Sequence, residues 1–262
     1  MRILVANVNT TQSMTDSIAA SARSIAAPGT EIVGVTPRFG ADSCEGNFES
    51  YLAAIAVMDA VTSYPEPFDA VVQAGYGEHG REGLQELLDV PVVDITEAAA
   101  STAMFLGHKY SVVTTLDRTV PLIEDRLKLA GLDARCASVR ASGMAVLELE
   151  EEPERAVEAI INQAILAVSQ DKAEVIVLGC GGMAGIVSAR LLKSVKPAAN
   201  AISFISSMLR PARRSASRAS RAAAGPERDW LRPKAMAAIV RGGRSSRARS
   251  CSMRSMRPQD IP

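Results

Sequence analysis

The sequence contains few histidines and cysteines, and neither residue type is spaced as a metal site or a disulfide framework requires. His79 and His108 form no HxH or HExxH pattern, and the cysteines include no CxxC pair. The cysteines are Cys44, Cys136, Cys180 and Cys251. We therefore expect reduced thiols, no bound metal and no disulfide framework.

Long apolar runs are also lacking. No charge-free stretch approaches the roughly 20 residues that a membrane-spanning helix needs. The first residues, Met1–Val5, predict a strand and not a signal peptide. We expect a cytoplasmic protein without membrane contact, and 262 residues are enough for one large domain or two smaller lobes.

The net charge of zero conceals an uneven distribution. Residues 1–185 contain 12 Lys and Arg against 26 Asp and Glu, a balance of −14, whereas residues 186–262 contain 17 against 3, a balance of +14. The second segment, which we call the basic tail, is rich in Arg, Ser and Ala. Because it can bury little apolar surface to offset its ordering entropy, we expect an atypical, disordered C-terminal segment.

Three interpretations of the basic tail remain open. Clustered arginines attract polyanions, so the tail is a candidate for binding nucleic acid or a membrane surface. It is equally compatible with a disordered appendage that has no partner. The third interpretation, which we favour, is a shifted reading frame. The Ala/Arg/Ser-rich sequence begins abruptly inside an expected structural unit, as translation in a wrong frame would produce. We predict nucleic-acid binding only if the tail is genuine.

Residues 1–185 alternate short β-branched runs with longer helix-compatible stretches. This pattern is typical of βαβ units around a mostly parallel sheet and predicts an α/β fold. The predicted strands are 3–6, 31–35, 70–73, 91–95, 110–114 and 174–178. The predicted helices are 14–25, 51–62, 81–88, 97–105, 120–130 and 154–169.

Two segments of the chain resemble each other. Placing Gly75 opposite Cys180 aligns residues 69–77 with residues 173–182, strand with strand and glycine-rich loop with glycine-rich loop. The first copy is completed by a further strand, whereas the second runs into the basic tail. We therefore predict two similar α/β lobes, 1–95 and 96–185, with a cleft between them.

Cys180 is the side chain that packing explains least, because it follows a strand between glycines and has no core around it. We therefore interpret it as functional and the other cysteines as structural or incidental. Glu78 and His79 are either solvated residues that open a helix or a catalytic base. The GxGxxG pattern of residues 75–80 is weak support for a dinucleotide site, since it comes late in the chain.

Several polar residues near strand ends have two interpretations. Asn9, Thr10 and Thr11 are suited to cap the first helix, and the same helix end can bind a carboxylate or imide oxygen. Thr114 and Thr115 are either strand formers or hydroxyl donors to a substrate oxygen.

A family resemblance connects these motifs. Residues 7–11 resemble the start of hydantoin and allantoin racemases, with Val8 where proline is common, and residues 44–46 resemble their S-x-E-G segment. Further matches are Gly75–Gly77, Glu97–Ala98, Thr114–Thr115 and Leu178–Met183. Residues 1–185 therefore resemble the aspartate/glutamate/hydantoin racemase superfamily, and hydantoin racemases most closely.

The resemblance implies a cofactor-independent racemase of 5-substituted hydantoins or a related amino-acid derivative. In that superfamily one cysteine removes the α-proton and a second returns it from the opposite face. Cys180 matches the second-lobe cysteine, Gly75 replaces the first, and Glu78 or His79 is our candidate for the missing base. The residues that we expect to bind substrate are Asn9, Thr10, Gly75, Tyr76, Gly77, Thr114, Thr115, Gly181 and Gly182. We also expect a small-molecule substrate and a homo-oligomer.

Two alternatives remain open. A glycine paired with a single cysteine also resembles arylmalonate decarboxylases, in which one cysteine protonates the enediolate left by loss of carbon dioxide. The second alternative is a non-catalytic scaffold that binds nucleic acid through the basic tail.

Overall fold

The computed structural model describes residues 1–183, which form an α/β fold with two parallel sheets. The strands are β1 (Arg2–Ala6), β2 (Glu31–Val35), β3 (Ala70–Gln73), β4 (Val92–Asp94), β5 (Tyr110–Thr114), β6 (Cys136–Ala141) and β7 (Val175–Leu178). The helices are α1 (Gln12–Arg23), α2 (Asn47–Thr62), α3 (Arg81–Leu87), α4 (Ile95–Leu106), α5 (Val120–Leu129), α6 (Glu148–Glu151) and α7 (Pro153–Ser169). The α/β class predicted from the sequence is confirmed.

The two sheets share one topology. The first has the order β2-β1-β3-β4 and the second the order β6-β5-β7, with every pair parallel. β3 therefore lies beside β1 as β7 lies beside β5, which confirms the alignment of the two similar segments. Gly75 and Cys180 each follow the end of the corresponding strand by two residues.

The helices pack on these sheets through regularly spaced apolar positions. In α7 the buried residues Ala156, Ile160, Ala164 and Ala167 recur every three or four positions, so one side faces β5 and β6. α4 begins at Ile95 because the Asp94 carboxylate accepts hydrogen bonds from the Thr96 and Glu97 backbone N–H groups. No helix within residues 1–183 combines the length and apolar character needed to cross a membrane.

Strand β6 was missed by our sequence analysis. Its residues, Cys-Ala-Ser-Val-Arg-Ala, form neither an apolar run nor a clear alternation, and all six are only partly buried. It is an edge strand whose formation depends on its pairing with β5. Our predictions for the basic tail lie outside the described residues.

Candidate active site

Loops that follow the carboxyl ends of strands from both sheets meet at one small cavity of about 40 Å³. The ends of parallel strands are where ligands bind in many α/β proteins. The lining residues are Asn7, Val8, Asn9, Met14, Cys44, Ala74, Gly75, Tyr76, His79, Thr114, Thr115, Thr119, Val146, Gly179, Cys180 and Gly181. Both sheets thus contribute polar groups and thiols to one site.

Cys180 follows β7 and precedes a short 3-10 turn, Gly181–Met183. Burial raises the pKa of its thiol to about 11, and the backbone N–H groups of Gly182 and Met183 oppose that rise. The thiol is therefore protonated at neutral pH, and the same N–H groups are placed to stabilise the thiolate when a proton is transferred.

The space beside Gly75 is already filled. A Cβ atom at this position would come within 2.4 Å of both His79 Cδ2 and Val8 Cγ1. Side chains essentially never approach so closely, so a thiol at position 75 requires its neighbours to move. His79 and Val8 thus occupy the volume that a first-lobe cysteine would need.

His79 lies at the cavity and is only 5 % exposed. Burial lowers the pKa of its imidazole to about 4, and the nearby Arg126 charge also lowers it. Its Nδ1 atom has no hydrogen-bond partner among the described residues. The imidazole is neutral at physiological pH and able to accept a proton, and our interpretation of His79 as a solvated residue is wrong.

Glu78 is turned toward a buried ion-pair cluster and does not line the cavity. Its Oε2 atom lies 2.8 Å from Arg126 Nη1, and its Oε1 atom accepts a hydrogen bond of 2.8 Å from Gly80 N–H. Arg126 is 1 % exposed and also contacts Glu82, Asp94 and Glu97. The Glu78 side chain is thus anchored, but at 32 % exposure it stays partly solvated, in keeping with the solvated interpretation.

The Arg126 cluster combines one fully buried cation with four carboxylates. Burial lowers the Arg126 pKa, but hydrogen bonding to Glu82 and the charges of Asp94, Glu78 and Glu82 raise it overall. Burial raises the pKa of Asp94 to about 6, against the hydrogen bonds from Thr96 and the charge of Arg126. Arg126 therefore remains charged while the cluster holds excess negative charge beside loop 75–80.

Two asparagines shape the loop after β1. The Asn7 amide donates to Asn9 Oδ1 at 2.8 Å and to Thr15 Oγ1 at 3.0 Å. The Asn9 amide donates only to Met14 Sδ at 3.2 Å, a weak acceptor that a substrate oxygen can replace. Thr10 instead donates to Asp42 at 2.8 Å and does not line the cavity.

Hydroxyl groups from the second sheet lie across the cavity. Thr114 Oγ1 donates to Gly179 O at 3.1 Å and lies 3.1 Å from Thr119 Oγ1. Thr115 is buried at the same edge. Tyr76 reaches toward Gly179, and its buried hydroxyl has no partner within residues 1–183.

Gly77 and Gly182 lie next to residues that line the cavity and help to fix the loops. Gly77 has a φ of +125°, which favours glycine, and its N–H donates to Thr96 Oγ1 at 2.9 Å. Gly182 N–H faces the Cys180 thiol. Neither residue lines the cavity itself.

A larger apolar cavity of about 450 Å³ lies against the first sheet and reaches the loop after β7. Aliphatic side chains such as Ile3, Val5, Ile32 and Val72 form most of its lining, and Cys180 and Gly181 form one end. It has too few convergent polar groups to stabilise a developing charge. We therefore place the chemistry in the smaller cavity.

The structure brings most of the predicted site residues together. Those that line the cavity are Cys180, His79, Asn9, Gly75, Tyr76, Thr114, Thr115 and Gly181, whereas Glu78, Thr10, Gly77 and Gly182 lie behind it. Asn7, Thr119 and Cys44 also line the cavity and were not predicted. Asn7 and Cys44 belong to motifs that carry the family resemblance, so the sequence could have indicated them. Thr119 belongs to no such motif.

Comparison with known proteins gives consistent results. The Asp/Glu/Hydantoin racemase family model matches residues 3–209, so the family match extends past residue 185, where we placed its end. A hydantoin racemase from Pseudomonas sp. (strain NS671) is 38% identical over 185 residues, which is 70% of this chain and 74% of that protein.

Two solved structures of allantoin racemases are also similar to this chain. The one from Pseudomonas fluorescens is 73% identical, with a TM-score of 0.75, covering 79% of this chain and 86% of that chain. The one from Klebsiella pneumoniae is 36% identical, with a TM-score of 0.73, covering 80% of this chain and 84% of that chain.

Proposed function

This chain belongs to the Asp/Glu/Hydantoin racemase family and is a racemase, and from that premise we propose that it interconverts the enantiomers of allantoin or a closely related 5-substituted hydantoin. Allantoin is itself a hydantoin with a ureido group at carbon 5. The 73% identity to the allantoin racemase of Pseudomonas fluorescens is the observation that carries this choice of substrate.

The proposed reaction is proton exchange at carbon 5 without a cofactor. A base removes the proton next to the ring carbonyl, and an acid on the opposite face returns one. The electron pair passes to the carbonyl oxygen as an enolate. Cys180 is the acid or base on one face, since its thiol lies at the cavity and is supported by two backbone N–H groups.

His79 and Glu78 are the candidates for the opposite face, beside the position where Gly75 leaves no thiol. His79 is supported by its neutral imidazole and by its place in the cavity lining. Glu78 supplies a charged carboxylate, but it must first leave Arg126 and Gly80 to reach the cavity. Both assignments are proposals. The first predicts that His79→Gln is inactive toward one enantiomer, and the second predicts the same of Glu78→Gln.

Polar groups around the cavity can form hydrogen bonds with the hydantoin ring and its enolate. The Asn9 amide is free to donate to a ring oxygen, because its acceptor within residues 1–183 is the weak Met14 sulfur. Thr114 and Thr115 supply hydroxyls from the other sheet. Such preorganised donors stabilise charge as it develops and contribute most of the rate in many enzymes.

The test follows each enantiomer separately. We would incubate (R)- and (S)-allantoin with the protein in deuterated water and measure deuterium at carbon 5 by NMR. In a two-base reaction, removing one base blocks proton abstraction from one enantiomer only. Cys180→Ser should block one enantiomer, and either His79→Gln or Glu78→Gln should block the other. Equal activity of the wild type and buffer toward both enantiomers would contradict the proposal.

A decarboxylase is the second candidate, and Gly75 favours it because one cysteine suffices for that reaction. The enediolate left by loss of carbon dioxide then takes its proton from Cys180. We would test phenylmalonate and measure carbon dioxide. Release that depends on Cys180, together with no exchange at carbon 5 of allantoin, would favour the decarboxylase.

The homo-oligomeric state and the cytoplasmic location are part of the proposal and stay predictions. Light scattering of the purified protein measures the first. A single-subunit mass for the active species would contradict it.

A further inference from the structure

Glu45 is a buried carboxylate whose partners both belong to the opposite side of the cavity. It lies in the loop between β2 and α2, next to Cys44, and is 8 % exposed. Its Oε1 atom accepts a hydrogen bond of 2.8 Å from Val146 N–H, and its Oε2 atom lies 2.6 Å from Arg118 Nη2. Val146 and Arg118 follow β6 and β5, so the contacts join the two sheets.

The location of these contacts connects them to the site. Cys44 and Val146 line the cavity, and Arg118 precedes another lining residue, Thr119. The cavity of about 40 Å³ holds a few water molecules and is far smaller than ligand pockets of several hundred Å³. Substrate entry therefore requires loops of the two sheets to separate, and the Glu45 contacts must break or stretch when they do.

We propose that Glu45 is a positioning residue that closes the cavity over Cys180 by joining loops of the two sheets, and that its carboxylate, held by the lining residue Val146, opposes formation of the Cys180 thiolate. This inference rests on the proposed function, in which Cys180 transfers the proton. A buried carboxylate is retained at a cost in desolvation, which its two partners offset here. An isosteric amide at position 45 would keep the shape and lose the charge.

The charges around Cys180 determine the direction in which each substitution should move the pKa of its thiol. After burial, the Glu45 carboxylate is the group that raises the Cys180 pKa, and the Gly182 and Met183 N–H groups lower it. The other titratable groups that line the cavity are Cys44, whose pKa burial raises to about 12, Tyr76, whose pKa burial raises well above its usual value, and neutral His79. Arg118 partly neutralises Glu45. Removing Glu45 and removing Arg118 should therefore move the Cys180 titration in opposite directions.

The experiment measures alkylation of Cys180 by iodoacetamide in the full chain, resolved from the other cysteines by peptide mass spectrometry. Only the thiolate reacts, so below the pKa the rate reports the thiolate fraction. Opening of the cavity raises the rate in both variants, so the electrostatic effect is read from the ratio of their rates. A half-unit pKa change of opposite sign in each should make Glu45→Gln react about tenfold faster than Arg118→Met at about pH 9. Asp59→Asn is the control, because Asp59 of α2 pairs with Arg38 in the loop after β2 and neither residue lines the cavity. Its alkylation rate should match that of the wild type.

Kinetics test the closing role. Both Glu45→Gln and Arg118→Met should lower kcat/KM for proton exchange by about tenfold, because each weakens the contact that holds the catalytic loops together. Equal alkylation rates in Glu45→Gln and Arg118→Met would overturn the electrostatic role. Unchanged kcat/KM would overturn the closing role. If wild type lacks exchange, the proposed function fails, whereas the alkylation result still decides the action of Glu45 on the thiol.

Discussion

Gly75 determines which side chains can pack beside it. Its missing side chain leaves room that the His79 ring and Val8 fill, and a Cβ atom would collide with both. His79 is thereby held at the cavity in neutral form. The position that lacks a thiol is therefore also the position that brings another titratable group to the site.

Gly75→Cys should consequently destabilise the fold and fail to restore a two-thiol site. Overpacking of this kind costs about 1–3 kcal/mol. Val8→Ala alone removes buried methyl groups and also destabilises, but together with Gly75→Cys it relieves one of the two clashes, the other being with His79. Urea unfolding of the two single variants and the double variant measures the coupling. Additive losses would show that Val8 does not limit the space at position 75.

His79 predicts a pH dependence of stability. Its folded pKa of about 4 lies below the ordinary value of 6.5, so the folded state binds fewer protons than the unfolded state between these values. Stability is therefore present above pH 6.5 and is lost as the pH falls through 4, by about 3 kcal/mol for this residue.

His79→Gln should abolish this loss, and unfolding in urea at a series of pH values compares it with the wild type. Asp94 acts in the opposite direction, since its folded pKa is raised to about 6 and its contribution is lost as the pH rises through that value. The difference between variant and wild type isolates His79. A constant difference between pH 7 and pH 4 would contradict the assignment.

At the scale of elements, Arg126 joins three helices. It extends from α5 to Glu82 of α3 and Glu97 of α4, and it contacts Glu78 in the loop before α3. The guanidinium and the Asp94 carboxylate are both buried, so removal of Arg126 leaves a buried carboxylate without its counter-charge.

Arg126→Met should therefore lower the free energy of unfolding by about 3–5 kcal/mol. Arg38→Met is the matched control, because Arg38 pairs with Asp59 at an exposed position and such pairs contribute at most about 1 kcal/mol. Urea denaturation compares the two variants. Equal losses would show that the buried cluster is no more stabilising than a surface pair.

The elements also show what the sequence can predict. Strands with β-branched runs, such as β3 and β5, were predicted with the observed bounds, because local pattern and burial agree. β6 was missed because pairing with β5 determines it. Local pattern placed Cys180 at a strand end, but it could not show that Thr119 reaches the same cavity or that Glu78 turns toward Arg126, since both depend on contacts distant in sequence.

At the scale of the whole molecule, the site depends on both sheets. β3 and β7 occupy equivalent places in their sheets, and the loops after them bring Gly75 and Cys180 to one cavity. This arrangement suits a reaction in which a proton leaves one face of a carbon and another arrives at the opposite face. Two further contacts connect the segments around the two sheets, Glu45 with Val146 and Arg126 with Glu78.

The charge distribution raises a separate question about the end of the chain. The family match ends at residue 209, and the following 53 residues carry most of the excess of arginine. Our interpretation of the whole basic tail, residues 186–262, as translated from a shifted reading frame stays a prediction. Resequencing the gene with attention to the codons after residue 185 tests it directly.

The central claim is that Cys180 exchanges the proton at carbon 5 of a hydantoin. The most direct measurement is deuterium incorporation at carbon 5 of single-enantiomer allantoin in deuterated water, with wild type and Cys180→Ser compared at equal concentration. We predict incorporation with wild type well above buffer, and none above buffer for the enantiomer whose proton Cys180 removes. Equal incorporation by Cys180→Ser and wild type from both enantiomers would contradict the account.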